Sequence, residues 1–307
     1  TLQGTMFILV QTILELSIVI FYITVMLVIV TSKSRTFKNA FFVMFVATGC
    51  ADATSLLANS FVRVNRQLEL GIEFKRFVLF AIFIGSTTYI AHMIGNLLIT
   101  INRFSALCLF RRYDKIWAPT NVRIVIAAQY LIAFLASIHI ITTDLVYIKN
   151  ANGSYIFKSL EKQTDRIARS FYVGFSIAYA VVSVSVNVRL VLEWYRLSRS
   201  RNGSGPRVRE KGLLIYTVFV FFSTMLMCSQ QIITGMAVFT SNDELYLWAI
   251  MQYFWCNDLM VSIPPFSILL LSSELRKTVF DFFQRRKTPT EVISILPIFM
   301  SRSNAHQ

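Results

Sequence analysis

No lysine interrupts any of the seven long apolar runs in this 307-residue chain, which excludes a retinal-type Schiff base within a membrane helix. Histidine is scarce, at three residues, and only His92 and His139 fall within the runs. A zinc hydrolase needs about three clustered ligands, and these two histidines share no metal-binding motif. Gly174-Phe175-Ser176 has the outline of an intramembrane serine nucleophile, yet the sixth and seventh runs hold no histidine to act as its base. The second membrane aspartate, Asp258, lacks the glycine-rich setting of an aspartyl protease. The expectation is a protein without enzymatic chemistry, cofactor or metal.

Cysteine is equally sparse. Cys50, Cys228 and Cys256 lie in the runs and Cys108 just after the third, so the loops of the opposite side have no disulfide available. Cys108 is juxtamembrane and is either an acylation candidate or simply buried. Of six prolines, only Pro264 and Pro265 fall in a run.

What the chain has is apolar length. The runs are Met6–Val30, Ala40–Val62, Phe77–Ile101, Ile124–Ile148, Phe171–Leu192, Leu213–Phe239 and Leu247–Leu271. Each reaches the ~20 residues needed to cross a hydrocarbon core. Lipid cannot satisfy backbone N–H and C=O groups, so such runs must be helices. The fold class is an all-α membrane protein, a seven-transmembrane helix bundle over residues 1–271. The tail, 272–307, carries an amphipathic pattern near 273–287: Leu275, Val279 and Phe282–Phe283 share a face among Arg276, Lys277 and Arg285–Lys287. That pattern suits a short C-terminal helix lying along the membrane surface. Arg199–Gly212, with its glycines, proline and arginines, reads as a flexible loop.

The gaps after runs one, three and five, with the tail and with Arg189 at the end of the fifth run, hold 21 of the 30 basic residues. Positive charge marks the cytoplasmic side, so the N-terminus is expected outside and the tail inside. The first run is too long for a cleaved signal peptide and lacks a charged leader; the chain begins at Thr1, which leaves room for a short leader. A net charge of +14 invites nucleic acid, but it is spread over short inter-helical segments and suits anionic lipid instead. With this orientation Asn152-Gly153-Ser154 is an outward glycosylation site, whereas Asn202-Gly203-Ser204 faces inward and stays bare.

Ionisable groups inside the membrane each need a reason. Asp52 and Asp258 lie roughly 18 and 20 Å from the same side, at ~1.5 Å per residue. Either they pair, one holding a proton or both a cation, or they are unrelated acids bonded to separate neighbours. Thr88, His92, Asn96 and Arg103 keep to one face of the third helix, which belongs in the bundle interior. Asn257-Asp258 above Pro264-Pro265 makes a hinge or a rigid helix end. Glu15 needs an interior partner. Together with Glu15 and Thr88, the outer ends of the helices offer Tyr172, Tyr179, Gln230, Gln231 and Tyr253 as walls for a small amphipathic ligand, or as an interfacial belt.

Asn102-Arg103-Phe104, followed by Tyr113-Asp114-Lys115-Ile116-Trp117, resembles the signature of nematode serpentine chemoreceptors of the gamma superfamily, which includes classes gamma and V. Asn257-Asp258-Leu259-Met260-Val261-Ser262-Ile263-Pro264-Pro265 and Ser273-Glu274-Leu275-Arg276 resemble the same group, leaning to class V. The resemblance implies a G-protein-coupled receptor in the plasma membrane, sensory cilia included. It further implies that Arg103 meets a heterotrimeric G protein once the sixth helix swings outward, with Phe104, Tyr113 and Trp117 in the same motif. Asn102 replaces the usual acid beside the arginine, so a lock within the third helix is absent. Glu210, at the inner end of the sixth run, is the candidate to hold Arg103 at rest. There is no Cys pair tying the third run to the outer loop, and no proline in the fifth or sixth.

The expected function is therefore a chemosensory receptor binding a small molecule in the outer half of the bundle. The alternative is an ion channel or transporter using Asp52, His92 and Asp258 as its path, against which stands the lack of an internal repeat.

Overall fold

The computed structural model describes residues 2–149, 153, 155–200 and 208–285. Among them are seven helices long and apolar enough to cross a membrane: α1 (Leu2–Thr31), α2 (Ala40–Gln67), α3 (Lys75–Cys108), α5 (Pro119–Ser137), α6 (Lys162–Ser200), α7 (Val208–Phe239) and α8 (Asp243–Leu271). A short α4 (Tyr113–Ile116) follows α3, and α9 (Ser273–Arg285) follows α8. The chain is a seven-transmembrane bundle.

Helix starts follow local chemistry. Asn39 caps α2 by accepting from the Phe42 N–H at 3.2 Å, and Asn242 caps α8 through the Leu245 N–H at 3.0 Å. Pro119 opens α5, where its missing N–H costs nothing. Between α2 and α3 the chain turns through Gly71 at φ 85°, a conformation glycine adopts without strain.

The fourth run was expected to continue to Ile148, but α5 ends at Ser137 and a 3-10 turn closes at Ile140. Leu145–Lys149 is instead strand β1, antiparallel to β2 (Tyr155–Leu160), with a bulge between Val146 and Tyr147. Hydropathy alone does not separate a β-branched strand from the end of a helix. The hairpin packs Leu145, Phe157 and Leu160 on Val78, Phe83 and Ala168, at the end of the bundle remote from Arg103.

Burial is inverted relative to a water-soluble protein. Ile20, Phe222 and Leu270 are 66, 65 and 68 % exposed, while Asp52, His92, Asn96 and Asn257 are buried. That is the arrangement lipid requires, because apolar surface costs nothing there and polar groups must turn inward. At the centre, α3 packs on α2, α5, α6 and α7. Serine pairs and side-chain-to-carbonyl bonds tie it in: Ser86 to Ser137 at 2.8 Å, Tyr89 to Ser176 at 2.8 Å, and Gln129 Nε2 to the Ala91 carbonyl at 2.8 Å. At the far end α9 buries Leu275 and holds Ser34 through Glu274 at 2.8 Å.

Close approach of α2, α3 and α5 depends on Gly95, where an added Cβ would collide with Thr48 Oγ1 and lie 2.6 Å from Gln129 Nε2. Gly95→Ala should cost about 1–3 kcal/mol by overpacking. It would be read as a lowered melting temperature of the purified protein in detergent; an unchanged transition would show that the contact relaxes freely.

Candidate functional site

The polar face of α2 organises the interior. Thr48, Asp52, Ser55, Asn59 and Arg63 recur at helical spacing and all are buried. Asp52 Oδ1 meets His92 Nδ1 at 2.5 Å, and Asp52 Oδ2 accepts from the Tyr22 hydroxyl at 2.9 Å. On the other side of the imidazole, Nε2 lies 2.7 Å from Asn96 Nδ2 and 3.3 Å from Thr224 Oγ1. Asn96 Nδ2 can only donate, so Nε2 accepts and the proton resides on Nδ1, donated to the carboxylate. One hydrogen-bonded centre thus joins α1, α2, α3 and α7.

One turn along α2, Ser55 Oγ donates to Asn257 Oδ1 at 3.3 Å, Asn59 Nδ2 donates to Ser55 Oγ at 3.2 Å, and the Tyr253 hydroxyl donates to Asn59 Oδ1 at 3.3 Å. Despite their matching depth, Asp52 and Asp258 do not pair; each is bonded to separate neighbours. Asp258 accepts from Gln11 Nε2 at 3.3 Å on α1, while Asn257 faces α2. Consecutive helical residues point ~100° apart, so only one of the two can address α2.

Glu15 finds its partner in Arg63, 2.7 Å away, with both side chains almost fully buried. Ser60 also donates to Glu15, and Arg63 reaches Thr12 at 3.0 Å and Gln67 at 3.1 Å. The second apolar run stops at Val62, just short of Arg63, but α2 continues to Gln67 and carries Arg63 inside the bundle.

At the hairpin end, α2, α3, α6, α7, α8 and β2 enclose a cavity of about 120 Å³. Tyr172, Gln230, Gln231 and Tyr253 line it; Glu15, Thr88 and Tyr179 do not. Thr88 turns back to the Ile84 carbonyl of its own helix, and Glu15 is committed to Arg63. Also on the wall, and not singled out from the sequence, are Arg66, Asp165 and Arg169. Their signal is an i,i+4 acid–base pair, Asp165 and Arg169, one turn before Tyr172 and just outside the fifth apolar run.

At the opposite end, Arg103 places its guanidinium 3.9 Å over the Phe41 ring, which in turn meets Tyr216 edge-on at 5.5 Å. Asn102 Nδ2 donates to the Tyr113 hydroxyl at 3.1 Å and Trp117 Nε1 to Ser105 Oγ at 2.6 Å, so the segment holding α4 is strapped back onto α3. Phe104 is half-buried beside them. The Glu210 side chain and Asn152 lie outside the described residues. Pro264 and Pro265 are buried within α8, where they deprive the Met260 and Val261 carbonyls of their helical partners.

A long helical bundle with a buried polar core, a cavity at one end and an arginine stacked on aromatic rings at the other has the architecture of a seven-helix receptor. The chain matches the family described as serpentine type 7TM GPCR chemoreceptor Srv over residues 11–285, and it belongs to that family. No curated protein matches it.

Breaking the Glu15–Arg63 pair leaves one charge buried without its counterion. Arg63→Met alone should therefore cost about 3–5 kcal/mol, whereas Glu15→Leu combined with Arg63→Met should recover most of it. Melting temperatures of the two variants against wild type in detergent check this, and equal losses in the single and double variants would refute it.

Proposed function

We propose that the protein is a chemosensory receptor of the plasma membrane. It takes a small molecule into the cavity at the hairpin end and signals through a heterotrimeric G protein at the Arg103 end. The observation that carries the reading is the continuous polar face of α2, which runs from the cavity wall at Asn59 to the Asp52–His92 centre on the way toward Arg103. Membership of a chemoreceptor family supports it.

In this reading the cavity end faces outside. Residues 1–271 form the receptor body, and 272–307 form a cytoplasmic tail whose α9 lies on the inner leaflet. Ligand pressing on Tyr253 bears on Asn59 and, through Ser55, on Asn257. The Nδ2 of Asn257 has no partner among the described residues, and Pro264-Pro265 follow two turns on. α8 thereby has both a loosely held side chain and a weakened backbone, which makes it the hinge. The outward motion then frees Arg103 for the G protein, with Glu210 as its resting partner.

Second-messenger output from cells expressing the chain, challenged with an extract of small-molecule cues, tests the reading. Arg103→Ala should abolish the response at equal surface level, and Glu210→Gln should raise basal output. An ionic current that persists without G protein and ignores Arg103 would favour the channel alternative instead. Orientation has its own test. Asn152→Gln should remove a glycosidase-sensitive mobility shift while Asn202→Gln leaves it, and the reverse pattern would invert the topology.

A further inference from the structure

The charges on the cavity wall do not balance. Arg169 lies within it with its side chain only 15 % exposed, its Nη1 donating to Gln231 Oε1 at 3.1 Å. Its one carboxylate partner among the described residues, Asp165, is 3.4 Å from Nε, longer than the 2.7–2.9 Å typical of a charged hydrogen bond. Arg66 reaches the same wall from α2, and among the described residues no carboxylate lies within 4 Å of it. From β2 comes Lys158, whose nearest carboxylate is Asp243 at 3.9 Å. Three cations therefore face a cavity lined by a single acid, Asp165. Low-dielectric walls focus such an excess, so the field inside is strongly positive.

Aromatic and aliphatic side chains make up much of the remaining lining. Evenly spread charge would suit a solvated vestibule; two guanidinium groups against aromatic walls suit a molecule with one anionic end and an apolar body. We propose that the cavity binds a small organic acid, its carboxylate held between Arg169 and Arg66 and its body against Tyr172 and Tyr253. The planar guanidinium fork matches a carboxylate in geometry as well as charge. Asp165 competes with that carboxylate for Arg169, so it tunes affinity downward. This inference rests on the cavity being the ligand site of the proposed receptor and names the chemical class it takes.

The full-length chain purified in detergent would be titrated with benzoate, phenylacetate and hexanoate, and with the matching amides, by calorimetry and thermal shift. The expected result is binding by at least one acid and by none of the amides at the same concentration. Arg169→Gln and Arg66→Gln should each weaken it about tenfold, and Asp165→Asn should strengthen it several-fold. Among the described residues Arg66 has no ion pair to lose, so Arg66→Gln carries the test should Arg169→Gln not fold. Equal binding of acids and amides, no binding by any acid, or weaker binding in Asp165→Asn would overturn the proposal. Detergent titration needs no G protein. Acid binding without second-messenger output would leave the anion site standing and sink the receptor reading, whereas signalling by a neutral cue would do the opposite.

Discussion

Lipid offers no hydrogen bonds, and a polar side chain within a membrane helix must find its partner on another helix or fold back onto its own. In this chain the obligation is met chiefly through α2. Asp52 binds α1 and α3, Ser55 binds α8, Asn59 takes a hydroxyl from α8, and Arg63 closes an ion pair with α1. With the exterior as apolar as the solvent around it, these contacts and close packing are what choose one arrangement of the helices over others. The Asp52–His92 contact is the shortest of them at 2.5 Å, and with both groups 1 % exposed neither has water to fall back on.

The same constraint makes the interior able to carry a signal. A buried polar network is satisfied in a small number of discrete arrangements, not in a continuum, so shifting one member re-partners the next. Between the cavity and Arg103, α2 and α8 share such members, whereas α5 and α6 face mostly outward. The proposed movement accordingly belongs to α8 and its neighbour α7, where two prolines already weaken the backbone. The strap from Tyr113 and Trp117 onto α3, by contrast, holds the segment after Arg103 in place through two side-chain hydrogen bonds. Asn102 thus does structural duty where an acid would have held the arginine.

Much is legible in the sequence alone. Seven runs of sufficient length, the interior face of α3 through His92 and Asn96, and the receptor motif at Arg103 follow from composition, periodicity and resemblance. The α2 face was equally periodic but went unread past Asp52, because Arg63 and Arg66 look like loop charges when a run is ended at its first arginine. The β-hairpin was hidden for a related reason. Leu145–Lys149 is apolar enough to pass as the end of a helix, and its pairing with Tyr155–Leu160 is a contact between segments.

The sequence by itself determined the membrane class, the number of crossings and the depth of each polar residue, because length and hydropathy are properties of single segments. Only the tertiary structure decided which way each polar group points. Asp258 addresses α1 while Asn257 addresses α2; Glu15 meets Arg63 and leaves the cavity, and Arg169 enters it. Depth accumulates along one helix at a constant rise per residue, but azimuth acquires meaning only when neighbouring helices are in place.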